Sequence, residues 1–206
     1  MDASNGRQRR IFALAALLVL AAWVAAGAGR QASPPTGPKG NENAPAKKSA
    51  SADTPKPLEV IDAEGYGALL AKHRGKPLMV TFWATWCEPC RDEYPMVNEL
   101  ARQYEAKGLA VFGVSLDGDA EETLAARFVA RNHPIFRNYR KKPGKEEEFI
   151  NSVSKKWSGA LPATFLYSPD GRLVGQIVNE QPREVFVAAI EQLLATAPSQ
   201  HTGKTP

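Results

Sequence analysis

The segment Leu78-Met79-Val80-Thr81-Phe82-Trp83 is apolar on consecutive rather than alternate positions, and the only two cysteines of the chain, Cys87 and Cys90, follow it directly. A continuous apolar run of strand length is buried on both faces, which places it at the centre of a sheet covered by helices on either side. The flanking sequence supplies the rest of such a sheet. Leu58–Ile61 reads as a first strand, and Asp62 can cap a helix carrying Tyr66, Leu69 and Leu70. A long helix is expected from about Cys87 to Lys107, with Val97, Leu100, Ala101 and Tyr104 on one face, a kink at Pro95 and Gly108 as the stop. Leu109–Leu116 reads as the next buried strand. Asp119 and Glu122 open a helix bearing Leu124 and Phe128 that ends before His133-Pro134. Lys145–Trp157 reads as a helix with Phe149, Ile150, Val153 and Trp157 on one side, acidic at its start and basic at its end, as the helix dipole favours. Ala163–Tyr167 and Leu173–Val178 form a hairpin around Ser168-Pro169-Asp170-Gly171. Arg183–Ala195 closes the domain with Val185, Phe186, Ala189, Ile190 and Leu193 inward. The expected class is α/β, a central mixed sheet with helices on both faces.

With 206 residues, 43% of them hydrophobic and 23% charged, the chain is one compact domain with appendages rather than a disordered or multi-span membrane chain. Two cysteines exclude a disulfide-stapled miniprotein and a four-cysteine zinc module. The net charge of +4 is local: residues 1–56 hold 8 Lys/Arg against 3 Asp/Glu, and the remaining 150 hold 18 against 19. The excess lies in the leader, so nucleic acid is not an expected partner.

That leader has three parts. Arg7, Arg9 and Arg10 precede an uncharged apolar run from Ile11 to Gly29, which at 1.5 Å per residue spans about 28 Å, close to a hydrocarbon core of about 30 Å. Residues 1–29 are expected to anchor the chain with its N-terminus in the cytoplasm and the remainder at the periplasmic face of the membrane. The small residues Ala26-Gly27-Ala28 leave open a cleaved signal, which would release a soluble periplasmic protein. No cysteine follows the run, which excludes a lipoprotein. Residues 30–57 hold no aromatic and no large aliphatic residue and are expected to be a flexible linker. Residues 58–196 form the expected domain, and 197–206 a disordered tail.

Trp86-Cys87-Glu88-Pro89-Cys90 carries the chemistry. Between a buried strand and a helix, Cys87 falls at the helix N-terminus, where free N–H groups and the dipole favour thiolate over thiol. The three-residue offset lets Cys90 face Cys87 across one turn, so the pair can close a short disulfide. Other readings of Cys-x-x-Cys stay open. Half a zinc site is one, although no second Cys-x-x-Cys or His-x3-His exists and His73, His133 and His201 are scattered. A purely structural disulfide is another, although so small a loop restrains the unfolded chain least.

The run Phe82-Trp83-Ala84-Thr85-Trp86-Cys87-Glu88-Pro89-Cys90-Arg91-Asp92-Glu93, with Gly159-Ala160-Leu161-Pro162-Ala163-Thr164-Phe165-Leu166 downstream, resembles the thioredoxin superfamily. More narrowly it is similar to the membrane-anchored TlpA/ResA-type thiol-disulfide oxidoreductases, over residues 58–195. The resemblance implies a thioredoxin-like fold, with Cys87 as exposed nucleophile and Cys90 as buried resolving thiol. It implies a cis bond before Pro162, the proline lying against the cysteine pair, and a Leu161 backbone that pairs with extended substrate. Trp86, Glu88, Pro89, Leu161 and Pro162 are the expected substrate contacts. Glu93 matches an acidic residue near the redox pair. It is placed to exchange a proton with Cys90 if partly buried, and otherwise it only complements the dipole. Cytosolic thioredoxins carry a buried aspartate in the preceding strand; Thr81 stands there and cannot take up a proton, which favours Glu93.

Glu88 and Glu93 oppose a very low thiolate pKa, and a dithiol with a near-normal pKa donates electrons, so the direction leans to reductase. The expected function is reduction of disulfides in exported proteins, such as apocytochrome c or copper-site assembly factors. No cofactor is expected beyond the Cys87–Cys90 disulfide, and no metal. The expected partners are those substrates, a membrane electron donor and the membrane itself, for a monomer. A DsbA-like oxidase or isomerase, or a copper or zinc chaperone using both cysteines, are the alternatives. The basic stretch Arg137, Arg140, Lys141, Lys142 and Lys145 reads as a solvated loop, or else as a docking surface for a partner.

Overall fold

The computed structural model describes residues 55–196. The expected anchor, all but the end of the linker, and the tail lie outside the described residues. Among the described residues no helix is long and apolar enough to cross a membrane.

Six strands form one sheet in the order β1-β4-β3-β2-β5-β6. Strands β1 (Glu59–Ile61), β4 (Arg137–Lys141), β3 (Ala110–Ser115) and β2 (Leu78–Trp83) run parallel. The hairpin β5 (Ala163–Tyr167) and β6 (Leu173–Val178) adds to β2 antiparallel. Every residue of β2 is buried, as its continuous apolar sequence requires of a strand flanked by neighbours and covered on both faces. The mixed sheet expected from sequence is the one observed.

Alternation along β2 sends Met79 and Trp83 to one face and Val80 and Phe82 to the other, and each face has its own core. On the first face pack α2 (Glu88–Glu105), α3 (Glu122–Asn132) and α5 (Arg183–Thr196), through Tyr94, Val97, Leu100, Ala125, Phe186 and Ile190. On the second lie α1 (Ala63–Lys72) and α4 (Glu146–Val153), through Tyr66, Phe149 and Val153. Asp62 caps α1 by accepting from the Gly65 amide at 3.0 Å. The long helix α2 is continuous through Pro95 and stops short of Gly108, whose φ of +89° suits glycine.

Three expectations are corrected. The basic stretch is no solvated loop: Arg137–Lys141 is β4, paired with both β1 and β3. Arg140 is only 3% exposed, and its guanidinium meets Asp119 at 2.9 Å and Glu122 at 3.3 Å. Two acidic partners and a packed stem let a charge occupy a strand that sequence alone marks as exposed. Second, Leu124 and Val185 are exposed. The inward face of α3 is formed by Ala125, Ala126, Phe128 and Val129, which leaves Leu124 at its edge. Third, α4 ends at Val153, and Trp157 reaches the core from the loop beyond it, 4.8 Å from the Phe82 ring and 5.2 Å from Phe165.

Beneath the end of β2, the Trp83 indole donates to Asn138 Oδ1 at 3.0 Å across Gly113. A Cβ at Gly113 would run into the Asn138 carboxamide and come within 3.2 Å of Trp83 Nε1. Gly113→Ala is therefore expected to cost roughly 2 kcal/mol or more by overpacking. Urea denaturation checks this, and a loss under a few tenths of a kcal/mol would contradict the packing described.

Candidate active site

The site grows from the carboxyl end of β2. After Trp83, whose carbonyl is taken by the Leu116 amide at 2.8 Å, the chain turns through Ala84–Cys87, closed by Cys87 N donating to Ala84 O at 3.2 Å. Thr85 is held on both sides of this turn. Its amide and hydroxyl donate to Asp117, at 3.0 Å and 2.6 Å, and its carbonyl accepts from Arg91 Nη1 at 3.1 Å. Trp86, next in the turn, is 62% exposed beside the cysteines.

Cys87 is the N-cap of α2, its sulfur accepting from the Cys90 amide at 3.3 Å. Pro89 lies in the first turn, where its missing N–H leaves no bond unmade. Cys87 and Cys90 are joined by a disulfide with Cα atoms 5.3 Å apart. Cys87 is 7% exposed and Cys90 2%. Both sulfurs are therefore buried in the disulfide form, which corrects the expectation of an exposed Cys87, although Cys90 is the more deeply buried of the two.

Glu93 lies one turn beyond Cys90 on α2 and is 7% exposed, and among the described residues its Oε2 has no hydrogen-bond partner. Burial pushes its carboxyl up to about 7; the Glu180 charge adds to the rise and the Gln181 backbone opposes it. Thr81 is buried in β2, opposite Thr164 of β5. Glu88 is exposed between the cysteines.

The second loop arrives from β5. The Leu161–Pro162 bond is cis, and Pro162 precedes Ala163, which pairs with Phe82 at the end of β2. That register sets Pro162 at the same end of the sheet as the turn carrying Cys87. Leu161 packs against both cores. Trp157 Nε1 donates to Ala160 O at 2.9 Å, and Asn179 N to Pro162 O at 2.9 Å, so this loop too is fixed from behind.

Sequence reasoning missed Asp117 and placed Trp157 on a helix rather than in the loop it fixes; these two side chains hold the two loops. Asp117 directly follows the segment read as a strand, Leu109–Leu116, and belongs to no motif. Its signal was positional, since it follows the parallel strand next to β2 and so falls beside the turn that leaves β2.

A buried carboxyl raised to about 7 binds a proton more tightly in the folded protein than in the unfolded chain. Its contribution is therefore most favourable below about pH 4.5 and is lost as pH rises through about 7. Glu93→Gln is expected to leave the melting temperature near wild type at pH 4.5 and to raise stability at pH 8, on the order of 2 kcal/mol. Thermal melts of the disulfide form at the two pH values check this, and equal effects at both would contradict the burial argument.

The AhpC/TSA family profile matches residues 52–176. The thiol-disulfide oxidoreductase ResA of Bacillus anthracis is 34% identical over 65% of this chain and 73% of its own length. ResA of Bacillus cereus is 31% identical over the same shares. Among solved structures, a Chlorobium tepidum protein described as a thiol:disulfide interchange protein DsbE superposes with a TM-score of 0.52 at 28% identity, covering 61% of this chain and 84% of its own. Fold, site and relatives agree: the chain belongs to the AhpC/TSA family of the thioredoxin superfamily and is a thiol-disulfide oxidoreductase similar to ResA.

Proposed function

We propose that this oxidoreductase works as a reductase of disulfides in exported proteins, with Cys87 as nucleophile, Cys90 as resolving thiol and Glu93 as its proton acceptor. The observation that carries the reading is Glu93, a buried carboxyl whose pKa of about 7 lies near working pH, three residues past Cys90 on the same helix. The Cys87 thiolate attacks a substrate disulfide, forms a mixed disulfide and expels one substrate thiolate. Cys90 then passes its proton to Glu93 and attacks the Cys87 sulfur, which breaks the mixed bond, frees the second substrate thiol and leaves the Cys87–Cys90 disulfide. Two electrons from a membrane-bound thiol donor reopen it.

Charge supports that direction. The helix N-terminus stabilises the Cys87 thiolate, but Glu88 and Glu93 when ionised oppose it, which favours the dithiol as a donor of electrons. Trp86, the most exposed large apolar side chain beside the cysteines, and the Leu161–Pro162 loop offer an extended substrate an apolar contact and a backbone edge. The apolar run Ile11–Gly29 supports anchoring at the periplasmic face of the cytoplasmic membrane. Apocytochrome c and copper-site assembly proteins are the substrates we infer.

Insulin reduction tests the chemistry: Cys87→Ser is expected to fall to background, and Cys90→Ser to accumulate mixed disulfides that can be isolated and identified. Undiminished turnover by Cys87→Ser would rule the mechanism out. The wild-type rate of the resolving step is expected to rise with pH through about 7, where Glu93 becomes a base. Glu93→Gln is expected to slow that step roughly 100-fold and to remove the inflection. An unchanged profile would remove Glu93 from the mechanism.

A further inference from the structure

Asp117 is 1% exposed, and among the described residues no Lys or Arg forms an ion pair with it. A carboxylate so placed is costly unless donors converge on it. Three do: the Thr85 amide at 3.0 Å from both oxygens, the Thr85 hydroxyl at 2.6 Å from Oδ1, and the Ser115 hydroxyl at 2.6 Å from Oδ2. The Asp117 amide returns a bond to Ser115 Oγ at 3.0 Å, which ties the carboxylate to the end of β3. Two of the three donors belong to Thr85, so this residue is gripped by main chain and side chain together, from a rigid strand end.

Thr85 lies in the turn Ala84–Cys87 that delivers the Cys87 sulfur to the cap of α2. In the disulfide form, Cys87 is also tied covalently to Cys90, so the grip on Thr85 duplicates a restraint that already exists. Opening the disulfide removes that tie and leaves the turn before Cys87 to the restraints seen in the disulfide form: its closing bond, the exposed Arg91 contact and the buried grip of Asp117. An interaction that matters more in one redox state than in the other shifts the equilibrium between them.

We propose that Asp117 is a positioning residue for the redox couple: by holding Thr85 it keeps the Cys87 sulfur at the mouth of α2 when the disulfide is open, and so stabilises the dithiol relative to the disulfide. The proposal rests on Cys87 and Cys90 being the working couple. The balanced exchange is protein dithiol plus oxidised glutathione giving protein disulfide plus two reduced glutathione. One protein S–S bond forms as one glutathione S–S bond breaks, and both thiol protons pass to the glutathione sulfurs.

Equilibration with glutathione buffers, read by alkylation and mass, tests it. Asp117→Asn is expected to shift the equilibrium toward the protein disulfide about tenfold, equivalent to about 30 mV. Thr85→Val keeps the carboxylate and the amide bond but loses the hydroxyl, and is expected to shift it the same way by a smaller factor. The reduced form of each variant should lose more in melting temperature than the oxidised form. Should Asp117→Asn not fold, Thr85→Val alone decides. Equal losses in the two forms with an unmoved glutathione equilibrium would make Asp117 a scaffold residue only and overturn the proposal. A wild-type protein that takes no part in the exchange would refute the couple itself, whereas a wild type that equilibrates while the variants match it refutes only the role of Asp117.

Discussion

Everything at the site depends on one junction, where the buried strand β2 gives way to α2 through a single turn. Because β2 is paired on both edges and covered on both faces, its end point is fixed in space. Because Cys87 caps α2, its sulfur sits where unpaired backbone N–H groups collect. The same turn sets Trp86 outward and leaves Cys90 buried one turn along, and the pairing of Ala163 with Phe82 brings the Pro162 loop to the same edge. The two sulfurs and the apolar contacts we propose for substrate are therefore properties of one strand end rather than of separate loops.

Around this junction the protein keeps charged groups out of water by three different means. Arg140 is neutralised by two carboxylates that themselves reach solvent. Asp117 has, among the described residues, no cation but three converging donors. Glu93 has neither for its second oxygen, so its proton affinity rises instead. The first two arrangements build the scaffold behind the cysteines. In the third, burial raises the carboxyl to about 7, and this is the group to which we assign proton transfer in disulfide exchange.

Much of this was legible in the sequence because the relevant signals are local. The continuous apolar run of β2, the Cys-x-x-Cys after it and the Asp-Gly turn of the β5–β6 hairpin each declare themselves within ten residues. Glu93 was singled out by the family resemblance, and only its place one turn beyond Cys90 follows from helical spacing. What could not be read depends on partners far apart in the chain. Arg140 looked solvated because Asp119 and Glu122, some twenty residues earlier, cover it only after folding. Asp117 meets Thr85 across 32 residues, and Trp157 fixes Ala160 from a loop that periodicity assigned to a helix. Leu124 shares a helical stripe with Phe128, but the core lies on the Ala125 and Ala126 side of that stripe, and which side is covered is set by packing rather than by pattern.

The central claim is that Cys87 and Cys90 carry electrons by forming and breaking the bond between them. A single-turnover reaction of the reduced protein with a stoichiometric peptide disulfide, stopped by alkylation and mapped by mass spectrometry, tests this most directly. The account predicts one Cys87–Cys90 disulfide formed for each substrate disulfide opened. Substrate reduction with both cysteines still open to alkylation, or no reduction at all, would contradict it.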